Sequence, residues 1–250
     1  MKLKYVTFTG VDNWTNLDSL ERIQQQYPYA EFGVLASYHY SENGPRFPDK
    51  WVFDNLKGRK LNLSLHLCGT LALKAVQTNL ASAIEFMGEE HFNLFKRVQI
   101  NMHLNNVPRE QIMALTLKGN LEQIVIQMHT TYLCRQHFAL GYHNDCLGYL
   151  LDSSGGAGID TPLEIITKEG EQLGYAGGIG VNNVWSKLQR LLRYNNPSTF
   201  WIDMETRVRT GEKLDLELVD QVLALSDVLI KRYNDEPIEN GRVDHGCNKD

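Results

Sequence analysis

Short β-prone segments alternate with longer stretches of helical periodicity along nearly the whole chain, and that alternation narrows the fold more than any other feature. Strands are expected over residues 5–9, 32–36, 61–66, 97–103, 123–129, 146–152, 172–176 and 199–204. They end near Thr9, Ala36, His66, His103, His129, Asp152, Ala176 and Met204. Leu17, Leu20 and Ile23 form a helical stripe behind Asn16 and Asp18, both suitable caps. Further helices are expected from Trp51, over 71–86, from Pro108, whose ring suits a first turn, and over 214–233. The amphipathic segment 132–138 (YLCRQHF) follows the fifth strand. Eight strand–helix units in 250 residues predict an α/β chain of the (β/α)₈ or TIM-barrel class. An open doubly wound sheet is the alternative, but the first turn, Thr9-Gly10-Val11-Asp12, lacks its GxGxxG fingerprint. No internal linker interrupts the pattern. We therefore expect one barrel domain over 1–235 and a polar, aperiodic tail over 236–250.

Charge and cysteine usage exclude several function classes. With 25 basic against 30 acidic residues the net charge is −5, the opposite of the basic excess that nucleic-acid binding calls for. Cys68, Cys134, Cys146 and Cys247 show no CxxC spacing, so neither a disulfide scaffold nor a zinc knuckle is indicated. The opening MKLKYVTFTGVDN has no apolar stretch of signal-peptide length, and no run approaches a membrane span. The expectation is a cytoplasmic protein, monomeric or homodimeric, that acts on a small molecule without nucleic acid, membrane or cofactor.

Barrels of this class place their chemistry at the carboxyl ends of the strands. Those positions carry Thr9, Ser37 with His39, His66, Asn101 with His103, Gln127 with His129, Asp152, Gly177 with Gly178, and Asp203 with Glu205. Asp152 ends an apolar strand and is followed by SSGGAG, a pairing that suits a general acid under a flexible loop. It also reads as ordinary turn chemistry. The Gly177-Gly178-Ile179-Gly180 turn follows the seventh strand, where backbone N–H groups commonly receive phosphate. A tight turn without a ligand is the plainer reading. His66, His103 and His129 end adjacent strands and would hydrogen-bond substrate or one another; a metal site is the alternative, though the first strand lacks the usual His-x-His pair.

Four segments in order, FTG, the 32–46 stretch ending in GPRFP, LLDSSGGAGID, and YAGGIGVNNV followed by FWIDMETRVRTGEKLD, resemble the phosphoribosylanthranilate isomerase family of phosphate-binding barrels. The resemblance implies an Amadori-type aldose–ketose isomerisation in tryptophan biosynthesis. Asp152 would be the general acid, Arg46 would pair with the substrate carboxylate, and Gly177 and Gly178 would donate to phosphate. Two positions depart from the family pattern. Thr9 stands where the family has its basic cysteine, and a threonine hydroxyl cannot replace a thiolate as base. Glu205-Thr206-Arg207 replaces Ser-Ser-Gly, so Thr206 and Arg207 become candidate phosphate ligands and Glu205 a residue that could exclude phosphate. The substitute base is expected to be Asp12, with His66 second. A non-catalytic phosphometabolite binder and a metal-dependent barrel hydrolase are the alternatives.

Overall fold

The computed structural model describes residues 2–38, 44, 46–102, 107–129, 144–155, 157–166, 172–194 and 199–235. Eight parallel strands close into a barrel in chain order: β1 (Lys2–Thr9), β2 (Ala30–Ala36), β3 (Leu63–Cys68), β4 (Arg97–Asn101), β5 (Gln123–Met128), β6 (Leu147–Leu151), β7 (Leu173–Tyr175) and β8 (Thr199–Met204). Thr7 of β1 lies opposite Asp203 of β8 and also opposite Glu31 of β2, so the ring is complete at that level. The described helices are α1 (Leu17–Gln26), α2 (Lys50–Leu56), α3 (Gly69–Gln77), α4 (Ala81–Met87), α5 (Glu89–Phe92), α6 (Arg109–Met113), α7 (Val184–Arg193) and α8 (Leu216–Asp235). The expected (β/α)₈ barrel is thus the observed architecture. None of the described helices is long and apolar enough to cross a membrane. His39, His103, the 132–138 segment and the 236–250 tail lie outside the described residues.

Local chemistry accounts for the element boundaries. Asn16 caps α1, its side-chain oxygen accepting from the Ser19 N–H, and Leu17, Leu20 and Ile23 are buried as their spacing requires. The helix expected over 71–86 is two helices. Asn79 and Leu80 take φ values of 48° and 68°, which turns the chain and seats Leu80 in the core. Thr78 stabilises that break by accepting from the Ser82 N–H at 3.0 Å. β3 starts and ends two residues later than expected, which puts His66 inside the strand rather than at its end.

Alternation along the strands separates two environments. Val98, Ile100, Ile124 and Ile126 face outward and join the large core shared with the helices. Their neighbours point into the lumen. Val125, Leu150 and Trp201 form a separate apolar cluster there, with Tyr5 and Ala176 beside it. The rest of the lumen is polar. Glu31 accepts from Arg97 at 2.6 Å and from Thr7 Oγ1 at 2.7 Å, and all three residues are buried. The Arg97 guanidinium lies 4.3 Å from the Trp201 ring centroid and 5.1 Å from that of Tyr5. Glycines make room for the indole: a Cβ added at Gly174 would sit 2.1 Å from Trp201 Cε2. This polar layer is the floor of the site above it.

Candidate active site

A cavity of about 670 Å³ opens at the carboxyl ends of the strands. It lies within the range of small-molecule sites, which run from roughly 300 to 1,000 Å³. Asp152 lines it, one residue past β6, and is buried. Gln127 of β5 donates to one carboxylate oxygen at 2.8 Å, while the Ser154 N–H and hydroxyl donate to the other at 3.1 and 2.7 Å. Three donors fix the carboxyl group in one orientation, facing the cavity. The reading of Asp152 as turn chemistry therefore holds together with its place at the site, because Ser154 is both the turn residue and the anchor.

A second group of side chains meets across the lumen. Thr9 Oγ1 donates to Asp203 Oδ1 at 2.8 Å, and Gln99 Nε2 reaches Asp203 Oδ2 at 3.4 Å. Gln99 also lies 3.2 Å from His66 Nδ1, and His66 Nε2 lies 3.0 Å from Ser64 Oγ. Thr9–Asp203 spans the seam between β1 and β8 and Gln99–His66 joins the neighbours β4 and β3, while Gln99–Asp203 crosses the lumen between β4 and β8. Burial pushes the Asp203 carboxyl up to about 7, against the opposing pull of the Thr9 and Gln99 hydrogen bonds. Burial, aided by the charge of Arg97, pushes His66 down to about 3. The imidazole is neutral at physiological pH and accepts the Gln99 amide proton.

The structure corrects the expectation for Asp12. Its carboxylate does not line the cavity. It is fully buried and occupied: Arg209 donates to Oδ2 at 2.9 Å and the Leu214 N–H at 2.8 Å, while Trp14 N–H and Thr15 Oγ1 bind Oδ1. Arg209 also binds the carbonyls of Gly10 and Glu212. Asp12 thus ties the loop after β1 to the hairpin before α8, and it has no lone pair free for a substrate proton. The second choice, His66, faces the cavity, but its depressed basicity makes it a poor proton acceptor. His129 lines the cavity one residue past β5.

Arg46 and Glu205 line the cavity as an ion pair, 2.7 Å apart. Burial raises the Glu205 carboxyl, and the charges of Arg46 and Arg209 pull it back. Gly177 and Gly178 have positive φ, and the loop after β6 packs on them: a Cβ at Gly178 would meet the Asp160 nitrogen at 2.5 Å. Thr206 packs against Gly158 of the same loop, and Arg207 Nε donates to the Gly158 carbonyl at 3.1 Å. Lys187 of α7 completes the fastening, donating to the Thr161 and Gly177 carbonyls and pairing with Asp160 at 2.7 Å. The glycines therefore serve close packing of the loop, a reason visible without any ligand. Among the described residues no three His, Cys, Asp or Glu side chains converge as metal ligands would.

Sequence reasoning gives the strand-end positions Asp203 and Gln127 no role of their own, and it misses Gln99 and Lys187. The signal for the first three was present. Arg97, Gln99 and Asn101 of RVQIN recur every second position, and Gln123 and Gln127 of QIVIQM, like Thr199 and Asp203 of TFWIDM, lie four apart, which places each set on one face of its strand.

No protein-family profile matches the chain, and no relative is found among curated proteins. Among solved structures, the barrel is similar to N-(5'-phosphoribosyl)anthranilate isomerase from Pyrococcus furiosus. The TM-score is 0.55 at 16% identity, covering 90% of this chain and 98% of that one. At that identity the likeness is one of fold: both chains are (β/α)₈ barrels over nearly their whole lengths.

Proposed function

We propose that this barrel is an aldose–ketose isomerase of the Amadori type, acting on a phosphorylated sugar whose amine-linked half carries a carboxylate. The observation that carries the reading is Asp152, a buried carboxyl group held by three donors in a cavity at the strand ends. Its proton would go to the ring oxygen, the C1–O bond would break, and the nitrogen lone pair would form the iminium. A base facing the same cavity must then remove the C2 proton. Gly177, Gly178, Thr206 and Arg207 form the proposed phosphate side. Arg46 would bind the substrate carboxylate by exchanging it for Glu205. The resemblance in sequence order and the fold shared with the Pyrococcus furiosus protein support the same reading.

The test is incubation with N-(5'-phosphoribosyl)anthranilate in D₂O, read as ketose formation by chromatography and as solvent deuterium carried into the product. Asp152→Asn should lower turnover about 10²–10⁴-fold, the typical loss for a positioned acid, with ligand affinity within a few-fold. Equal turnover by wild type and Asp152→Asn would refute the assignment of the acid.

Replacement of the basic cysteine by Thr9 favours a second reading, a barrel that binds such a metabolite without converting it. Binding of the same compound without deuterium uptake would establish that alternative.

A further inference from the structure

We propose that Asp203 is the general base of this site, with Thr9 and Gln99 as its positioning residues. The inference rests on the isomerase reading above and supplies the proton acceptor that reading needs.

Two of the other buried carboxylates are neutralised by arginine. Asp12 is paired with Arg209 and Glu31 with Arg97, while Asp152 is held by Gln127 and Ser154, and the half-buried Glu205 pairs with Arg46. Asp203 differs from the arginine-paired carboxylates. It is buried on the inner face of β8 and lines the cavity, yet among the described residues no lysine or arginine lies within ion-pair distance of it. Its hydrogen-bond partners are two neutral donors, the Thr9 hydroxyl and the Gln99 amide. A buried carboxylate held by neutral donors keeps its orientation without a counter-ion quenching its basicity. The groups around it are Thr9 on β1, Glu31 on β2, His66 on β3, Arg97 and Gln99 on β4, and Glu205 one residue past β8. The two acidic neighbours raise its proton affinity further. The result is a carboxyl group that titrates near neutrality, where a proton acceptor works best. Thr9 then has a defined task. It cannot take the proton, but its hydroxyl aims the Asp203 carboxylate.

The proton balance closes. Asp152 gives its proton to the ring oxygen as the C1–O bond breaks. Asp203 takes the C2 proton, the C–H electron pair becomes the C1–C2 double bond, and the iminium nitrogen returns to neutral. The enol then loses its hydroxyl proton and C1 gains one, giving the ketose. Asp203 releases its proton and Asp152 regains one, so no net proton is consumed.

The experiment compares wild type, Asp203→Asn and Thr9→Val on N-(5'-phosphoribosyl)anthranilate, as kcat and KM against pH and as deuterium incorporation in D₂O. Asp203→Asn should lose at least about 100-fold in kcat, hold KM within a few-fold, and show no deuterium uptake. The wild-type rate should fall as pH drops through about 7, where the base protonates. In Thr9→Val, which keeps the carboxylate but removes a donor to its charged form, that limb should move to higher pH. The Thr9→Val shift still decides the matter should Asp203→Asn fail to fold. Turnover within threefold of wild type in Asp203→Asn, or an unmoved limb in Thr9→Val, would overturn the base while leaving the isomerase reading intact. No turnover and no deuterium uptake by wild type would overturn the isomerase reading, and the base with it.

Discussion

Arg97 and Asp203 show how much a single side chain in the lumen is asked to do. Arg97 neutralises Glu31, stacks over Trp201 and depresses His66 at the same time. Arg97→Met leaves Glu31 charged and unpaired in the barrel, and should cost about 3–5 kcal/mol in urea unfolding. Adding Glu31→Gln should recover a large share of that loss, and a double variant as unstable as the single one would contradict the pairing argument. Asp203 makes a prediction in pH. Its folded-state pKa, about 7, exceeds the usual carboxylate value, so the fold holds a proton that the unfolded chain releases. Its contribution to stability is complete below about pH 4 and is lost as pH rises through about 7. His66 works in the opposite direction, since its folded pKa near 3 makes stability fall as pH drops below about 6.5. Asp203→Asn should therefore gain on wild type as pH rises from 5 to 8, read as urea midpoints. A gap that stays constant over that range would show that Asp203 does not titrate there.

Among the elements, the loop after β6 owes its position to a lysine on α7. Lys187 holds the carbonyls of Thr161 and Gly177 as well as Asp160, so one side chain joins that loop to the end of β7. Lys187→Met should cost about 2 kcal/mol, the scale of hydrogen bonds to a charged group, and should speed amide exchange in 157–162. Unchanged exchange there would refute the fastening. Gly174 on β7 is set by packing: Gly174→Ala drives a methyl into Trp201 and should cost about 1–3 kcal/mol in thermal or urea unfolding. These constraints were not legible in the sequence, since Lys187 looks like any polar-face helix residue until the loop is seen against it. The strands themselves were legible, because their apolar content marks them directly. What misled was treating each strand's last residue as the functional one. The chemistry follows the inward face, so Asp203 and Gln99 work from within their strands, while Asp12, placed at a promising first turn, is spent on holding Arg209.

For the molecule as a whole, alternation fixes register from both sides of the barrel wall. A slip of one residue would send Arg97 and Gln99 into the helix layer and Val98 and Ile100 into the lumen. Exchanging two neighbours, Gln99→Ile with Ile100→Gln, keeps composition constant and should abolish cooperative unfolding by circular dichroism, whereas Ile100→Val should cost only about 1 kcal/mol. Comparable melting of the two variants would contradict this account. Ring closure also has a consequence for the chain as it is made. β1 is synthesised first but gains its β8 neighbour only when residue 199 and those after it arrive. At about 5–20 residues per second, that leaves one edge of β1 open for roughly 10–40 s. Open edges invite pairing with other chains, and lysine is a common guard against it. Lys2 and Lys4 break the apolar run of that first strand, so the part of the barrel that waits longest also carries its own protection against aggregation.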